Sequence, residues 1–384
     1  MKFLFAPDSF KGSLSARQAI TLLEQAAKKL FPDCETVSLP MADGGEGTMD
    51  ILVDVKHGRY VELLVKDPLF RDIHSRYAIL EGNVALIEMA AASGLPLVPA
   101  DQRNPKNTTT YGTGQLIRAA LDAGCRELVI GVGGSATNDG GIGAMAALGV
   151  RFLDAEGRDL SPTGGNLGKI ASIDTSGLHP AIAESRFTVM CDIDNPLLGP
   201  QGATYVFGPQ KGATQKQLES LEAGMTNYAA LLNKMYGVNL AVEPGTGAAG
   251  GLSAALKVFL GAQLQSGIQT VLELSGFEEK LQGVDLVITG EGRVDGQSAR
   301  GKVLWGVGTT SAKHGIPAAA IVGGMGPGAE SIYDCGISTI LPTINGAMDL
   351  DEAIERAEEL FAGAAERLLR AVQIGLRISG RQYE

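Results

Sequence analysis

Short apolar runs that break into glycine recur along this chain, and most are followed by apolar positions at helical spacing. Residues 3–6 form a strand candidate that opens into A-P-D-S-F-K-G-S-L-S and then an amphipathic helix over 16–30, with Ser13 or Ser15 as its N-cap. Residues 36–39 repeat the arrangement, leading through P-M-A-D-G-G-E-G-T into a helix that ends near residue 55. The texture then changes. Residues 60–65, 75–80 and 84–88 alternate or run apolar at strand length with only turns between them, which predicts an antiparallel meander. Beyond a polar loop, the pattern predicts a helix over 113–123 closed by Gly124, strands at 127–130, 150–153 and 188–191, and helices over 214–236 and 252–260. The last third alternates again: strand 284–288, helix 303–314, strands 318–322 and 338–341, and a helix over 351–372.

Alternating strand and helix at both ends, with consecutive strands between them, predicts an α/β protein of two domains. One is a Rossmann-like parallel-sheet domain built from both chain ends, 1–66 plus 275–384; the other is a mixed-sheet α/β domain over 67–274. With 384 residues the chain is long enough for both to bury a core. A net charge of −11 argues against a nonspecific grip on nucleic acid or anionic lipid, so an anionic ligand must meet a local basic site. No apolar run is long enough for a membrane span or a signal peptide, which predicts a cytoplasmic protein; a homo-oligomer is left open. The four cysteines lie far apart without C-x-x-C spacing, so neither a zinc site nor a redox motif is expected.

The 52 glycines concentrate in loops after apolar runs, and several of those loops carry charge. The richest is V-I-T-G-E-G-R-V-D-G-Q-S-A-R-G-K, residues 287–302, read as a strand, a charged loop and a helix start. Glycines let backbone N–H groups approach an anion, and Arg can clamp a phosphate through two hydrogen bonds. The loop is not a Walker loop, because Val303 stands where that motif has a magnesium-holding hydroxyl, and it lacks the third glycine of a dinucleotide fingerprint. Gly131 to Gly143, G-V-G-G-S-A-T-N-D-G-G-I-G, is a second phosphate-loop candidate, with Ser135, Thr137, Asn138 and Asp139 available to a ligand or metal. Tight helix-to-sheet packing explains its later glycines equally well. A third cluster, P-G-T-G-A-A-G-G at 244–251, reads as a cradle or as close packing. Asp43 and Glu46 on a glycine turn, and Asp192 at the end of a buried run, offer oxygen ligands for magnesium; a capping box and an Asp-Asn-Pro turn are their structural readings.

Cations, glycines and carboxylates are the parts that phosphoryl transfer needs, since its catalysis is mostly positioning and charge stabilisation. A small-molecule kinase is therefore the physical expectation. An NAD-dependent hydroxyacid dehydrogenase lacks its fingerprint here and a favoured proton-handling histidine, and a nonenzymatic carboxylate binder leaves the carboxylate-bearing loops without a purpose. The segments F-A-P-D-S-F-K-G-S-L-S, P-M-A-D-G-G-E-G-T, G-V-G-G-S-A-T-N-D-G-G-I-G and I-T-G-E-G-R-V-D-G-Q-S, in this order over nearly the whole chain, resemble the bacterial glycerate kinase family of the type that forms 2-phosphoglycerate. The resemblance implies transfer of the ATP γ-phosphoryl group to the 2-hydroxyl of D-glycerate with Mg2+, rather than to the 3-hydroxyl, in a cleft that binds both substrates.

Roles follow from residue chemistry. Arg293 or Lys11 is expected to bind the glycerate carboxylate or the transferring phosphoryl group, with Ser9 and Asp43 beside them. Asp192 or Asp43 is expected to take the hydroxyl proton or hold magnesium, with Glu46 and Asp295 as further metal candidates. Either Gly133, Gly134, Ser135 and Asn138, or Gly290, Glu291 and Gly292, is expected to face the nucleotide phosphates.

Overall fold

A computed structural model describes residues 1–380 apart from Glu46, Gln297 and Arg300. Its strands in chain order are β1 (Lys2–Pro7), β2 (Glu35–Ser38), β3 (Arg59–Lys66), β4 (Asp72–Leu80), β5 (Val84–Glu88), β6 (Glu127–Gly131), β7 (Arg151–Leu153), β8 (Ser172–Asp174), β9 (Arg186–Met190), β10 (Gln263–Gln265), β11 (Leu286–Val294), β12 (Ala318–Met325) and β13 (Ile337–Pro342). The chain divides into two units, Met1–Val55 with Gly267–Glu384, and Lys56–Ser266. The first boundary falls before β3 and not at residue 66, because β3 pairs along its whole length with β4 and so belongs to the second unit's sheet. The second falls at 266/267, where the helix Gly267–Ser275 joins the first unit.

The discontinuous unit is a five-stranded parallel sheet in the order β13-β12-β11-β1-β2. Side chains alternate across such a sheet, so Phe3, Phe5, Ile288, Ala319 and Ile321 share one face. They pack with Leu23, Ala26 and Ala27 of the helix Ala16–Leu30 and with Phe361, Ala364 and Leu368 of the helix Ala357–Ile378. The first of these helices starts in a capping box, Ser15 with Gln18, which satisfies N–H groups at its N-terminus. The helix expected over 351–372 is two pieces, Leu350–Glu355 and Ala357–Ile378, broken at Arg356.

β11 is longer than its sequence suggests. Gly290, Glu291, Gly292 and Arg293 are strand residues rather than loop, because β12 continues beside them and pairs Gly290 with Ile321, Glu291 with Val322 and Arg293 with Gly324. Two glycines permit that approach: a Cβ on Gly290 would lie 2.2 Å from the Ile321 carbonyl oxygen, and one on Gly323 would lie 2.3 Å from that of Gly292.

The second unit carries a mixed six-stranded sheet, order β10-β9-β6-β5-β4-β3, antiparallel through β3, β4 and β5 and parallel from β5 to β10. The expected meander is therefore present as half of a larger sheet. β7, expected as a further strand, leaves this sheet and pairs with β8 as a separate antiparallel hairpin. The unit has its own core, in which Leu128, Ile130 and Val189 of the sheet meet Leu116 and Ile117 of the helix Tyr111–Asp122 and Leu252 and Leu256 of the helix Ala248–Leu260.

Candidate active site

Strand order in the discontinuous unit reverses its direction of winding at β1: β2 lies on one side of it and β11, next in this unit's chain order, on the other. Open α/β sheets bind ligands at the carboxyl ends of the strands flanking such a reversal, because the crossovers diverge there and leave a crevice. A cleft of about 720 Å³ opens at this position. Asp8, Ser9 and Lys11 line it from the end of β1, Asp43 from the loop after β2, and Glu291, Gly292 and Arg293 from β11, with Asp295 and Lys302 beyond. An adjoining hollow of about 630 Å³ shares Asp8, Ser9, Lys11 and Asp43 with it.

Apolar anchors set the β1 loop. The Phe10 N–H donates to the Leu14 carbonyl at 2.7 Å and the Leu14 N–H to that of Phe10 at 3.2 Å, while Gly12 takes a left-handed φ of 83° at the turn. Both side chains are buried, Phe10 edge-on against Phe361 at 5.2 Å, and this leaves Lys11 exposed at the turn. On β11, the Thr289 hydroxyl donates to the Ala6 carbonyl at 2.8 Å, and the Asp8 N–H donates to the Gly290 carbonyl at 2.8 Å. These bonds tie the two functional strand ends together. Arg293 is exposed, with Gly326 facing its guanidinium: a Cβ there would lie 3.1 Å from Nη2.

Two carboxyls in the cleft are perturbed. Burial pushes Asp8 up to about 6, with Asp43 adding to the rise, while the Ser9 N–H at 2.6 Å and the Lys11 charge oppose it. Burial pushes Glu291 up to about 7, with a further rise from Asp8 and Asp295; the Ser298 hydroxyl, which donates to it, and Lys302 pull the other way. Both groups therefore exchange protons near neutrality, the range in which an acid or base is useful. Among the described residues, no group of three or more His, Cys, Asp or Glu is arranged to hold a metal ion. Magnesium bound with a nucleotide needs less, one or two carboxylates plus phosphate oxygens and water. Asp43 raises Asp8 and Asp295 raises Glu291 through like charge, a repulsion that a bound cation would relieve.

The discontinuous unit thus brings together Ser9, Lys11, Asp43, Glu291, Gly292, Arg293 and Asp295 of the residues expected from sequence. Gly290 does not line the cleft; it serves strand packing. Glu46 lies outside the described residues. Gly133, Gly134, Ser135, Asn138 and Asp192 belong to the other unit.

There, Gly133 and Gly134 form the exposed tip of the loop after β6, but its base is packing. Gly140 donates to the Gly250 carbonyl at 2.9 Å, and a Cβ on Gly250 would lie 2.1 Å from the Thr137 carbonyl oxygen, so the second and third glycine clusters are built against each other. Asp139 is not available to a ligand. It is fully buried and accepts from Thr110 N–H and Oγ1 at 2.8 Å each, Gly141 N–H at 3.0 Å and Gly143 N–H at 3.2 Å. Asn138 is also buried, donating to the Thr204 hydroxyl at 3.2 Å, and Asp192 is exposed, accepting from the Ser266 hydroxyl at 3.0 Å. Sequence reasoning missed Lys211, buried beneath this loop and donating to Ser135 Oγ at 2.8 Å and the Thr137 carbonyl at 2.6 Å. Burial holds it down to about 7 despite the Asp139 charge. Asp8 lines the cleft where its place beside Ser9 and Lys11 after the first strand pointed.

Residues 3–373 match the model of the glycerate kinase family. The chain belongs to the glycerate kinase family. It is 46% identical over 375 residues to a glycerate kinase of Bacillus subtilis, covering 97% of this chain and 98% of the relative. It is 42% identical over 381 residues to a glycerate 2-kinase of Escherichia coli, covering 99% and 100%. A crystal structure from Salmonella typhimurium LT2, of a protein provisionally named glycerate kinase 2, superposes with a TM-score of 0.89 at 42% identity over 98% of this chain and 99% of that one. The chain is accordingly an enzyme, a kinase acting on glycerate. Among the described residues no helix is long and apolar enough to cross a membrane.

Proposed function

We propose that this glycerate kinase transfers the γ-phosphoryl group of ATP to the 2-hydroxyl of D-glycerate, giving 2-phospho-D-glycerate and ADP, in the cleft at the β1/β11 reversal. The supporting observation is the company kept there: Lys11 and Arg293 stand with two carboxyls that titrate near neutrality. Arg293 or Lys11 clamps the glycerate carboxylate, and the remaining cations meet the phosphates. The hydroxyl oxygen bonds to the γ-phosphorus as its bond to the β–γ bridging oxygen breaks, and the hydroxyl proton passes to Asp8 or Asp43. A loose transition state asks little of that base, so a carboxylate suffices. The 2-hydroxyl is adjacent to the clamped carboxylate, one carbon nearer the clamp than the 3-hydroxyl, and a relative of 42% identity is named a glycerate 2-kinase. Asp43, beside Asp8, or Asp295, beside Glu291, is the residue that would hold magnesium, which when bound offsets charge on the β- and γ-phosphates.

Phosphorus NMR of the product from ATP and D-glycerate tests the reading. A phosphate on C2 couples to a single carbon-bound proton and gives a doublet. A triplet, from the two protons of C3, overturns the regiochemistry.

A further inference from the structure

The cleft at the β1/β11 reversal is also lined by Met325, Ile344, Leu350 and Ile354. These large apolar side chains are 45%, 39%, 72% and 38% exposed. Met325 ends β12, Ile344 follows β13, and Leu350 and Ile354 lie one turn apart on the helix Leu350–Glu355. Apolar surface gathered in one cleft yet left open to water marks a place that a ligand covers. A three-carbon acid bearing a carboxylate and two hydroxyls gives no reason for it.

Sheet order supplies a direction. Along the carboxyl edge, β13 and β12 carry the apolar residues, and the neighbouring β11 and β1 lead into Arg293 and Lys11. Four adjacent strands span roughly 14 Å at the usual strand spacing. The cleft therefore grades from apolar to cationic over the length of a nucleoside triphosphate, far more than glycerate needs. We propose that Met325, Ile344, Leu350 and Ile354 seat the base of the nucleotide, with its phosphates running along the sheet edge toward Lys302, Arg293 and Lys11. This rests on the kinase reading above, and it assigns the nucleotide to the β11 side of the sheet edge rather than to the glycine loop after β6.

Calorimetric titration of the full chain with the non-hydrolysable adenylyl imidodiphosphate, and separately with inorganic tripolyphosphate, tests it in the wild type and in Leu350→Ser/Ile354→Ser. Both positions are open to solvent, so the fold is retained, which circular dichroism checks. The expected result is a loss of about tenfold or more in nucleotide affinity with tripolyphosphate affinity unchanged, since only the base loses apolar contact. Equal loss for both ligands, no loss for either, or a change of oligomeric state in place of either overturns the assignment. Product formation by the wild type, followed in parallel, separates the two claims: normal turnover with unaltered nucleotide binding in the variant leaves the kinase reading standing and removes the base site.

Discussion

Asp139→Ala is the sharpest test of how the second unit is held together. The carboxylate is 0% exposed and accepts four hydrogen bonds, three from backbone N–H groups of Thr110, Gly141 and Gly143 and one from the Thr110 hydroxyl. Alanine removes both oxygens and orphans three buried N–H donors, each costing about 1–3 kcal/mol. Relief of the buried charge offsets part of this, and the hydroxyl can turn to another acceptor. The net expectation is a destabilisation of about 3–5 kcal/mol. Asp139→Asn separates hydrogen bonding from charge. An amide oxygen in the place of Oδ2 keeps the two Thr110 bonds and the Gly143 bond, so only the Gly141 N–H meets another donor, and the loss falls to about 1–2 kcal/mol. Urea unfolding followed by circular dichroism gives both numbers, and hydrogen exchange at the amides of Gly141 and Gly143 localises the effect. An alanine variant within about 1 kcal/mol of wild type would refute the view that this aspartate is structural.

Two buried groups predict opposite pH dependences. Glu291 rises from 4.5 to about 7, so the folded chain holds the extra proton between those values and loses stability as pH climbs through them; wild-type stability relative to Glu291→Gln should fall by up to about 3 kcal/mol across that window. Lys211 drops from 10.5 to about 7, so the unfolded chain holds the extra proton and stability gains with pH between those values, a gain that Lys211→Met should remove. Denaturation at stepped pH reads both as the difference between wild type and variant, and a difference that does not change with pH across the stated window contradicts the corresponding assignment.

The legible parts of the fold were those decided locally. Ser15, one of two expected N-caps, and Thr214 open their helices, each in a capping box with the glutamine three residues on, Gln18 and Gln217, a pattern confined to a few consecutive residues. The position of Lys11 after the first strand was also readable, because a strand followed by a turn fixes which residues reach a sheet's carboxyl edge. Long-range causes were hidden. Gly140 and Gly141 fit a phosphate cradle and close packing equally well from sequence, and only the fold shows the partners that make it packing: Gly140 is bonded to Gly250 and Gly141 faces Ala255, each more than a hundred positions away. Glycines and charges disguised the end of β11 as a loop, since only β12 running alongside makes it a strand. Lys211, in P-Q-K-G, reads as a solvated turn lysine, and nothing near it in sequence announces burial.

The central claim is that the reversal of winding at β1 places the chemistry, with Arg293 holding either the glycerate carboxylate or the phosphates. Steady-state kinetics of Arg293→Ala tests it most directly, because the side chain is exposed and its removal should leave the unfolding midpoint unchanged. The account predicts that kcat/KM for glycerate falls by at least about a hundredfold, with Arg293→Lys recovering only part of it. A stable alanine variant that keeps the wild-type kcat/KM would contradict the account.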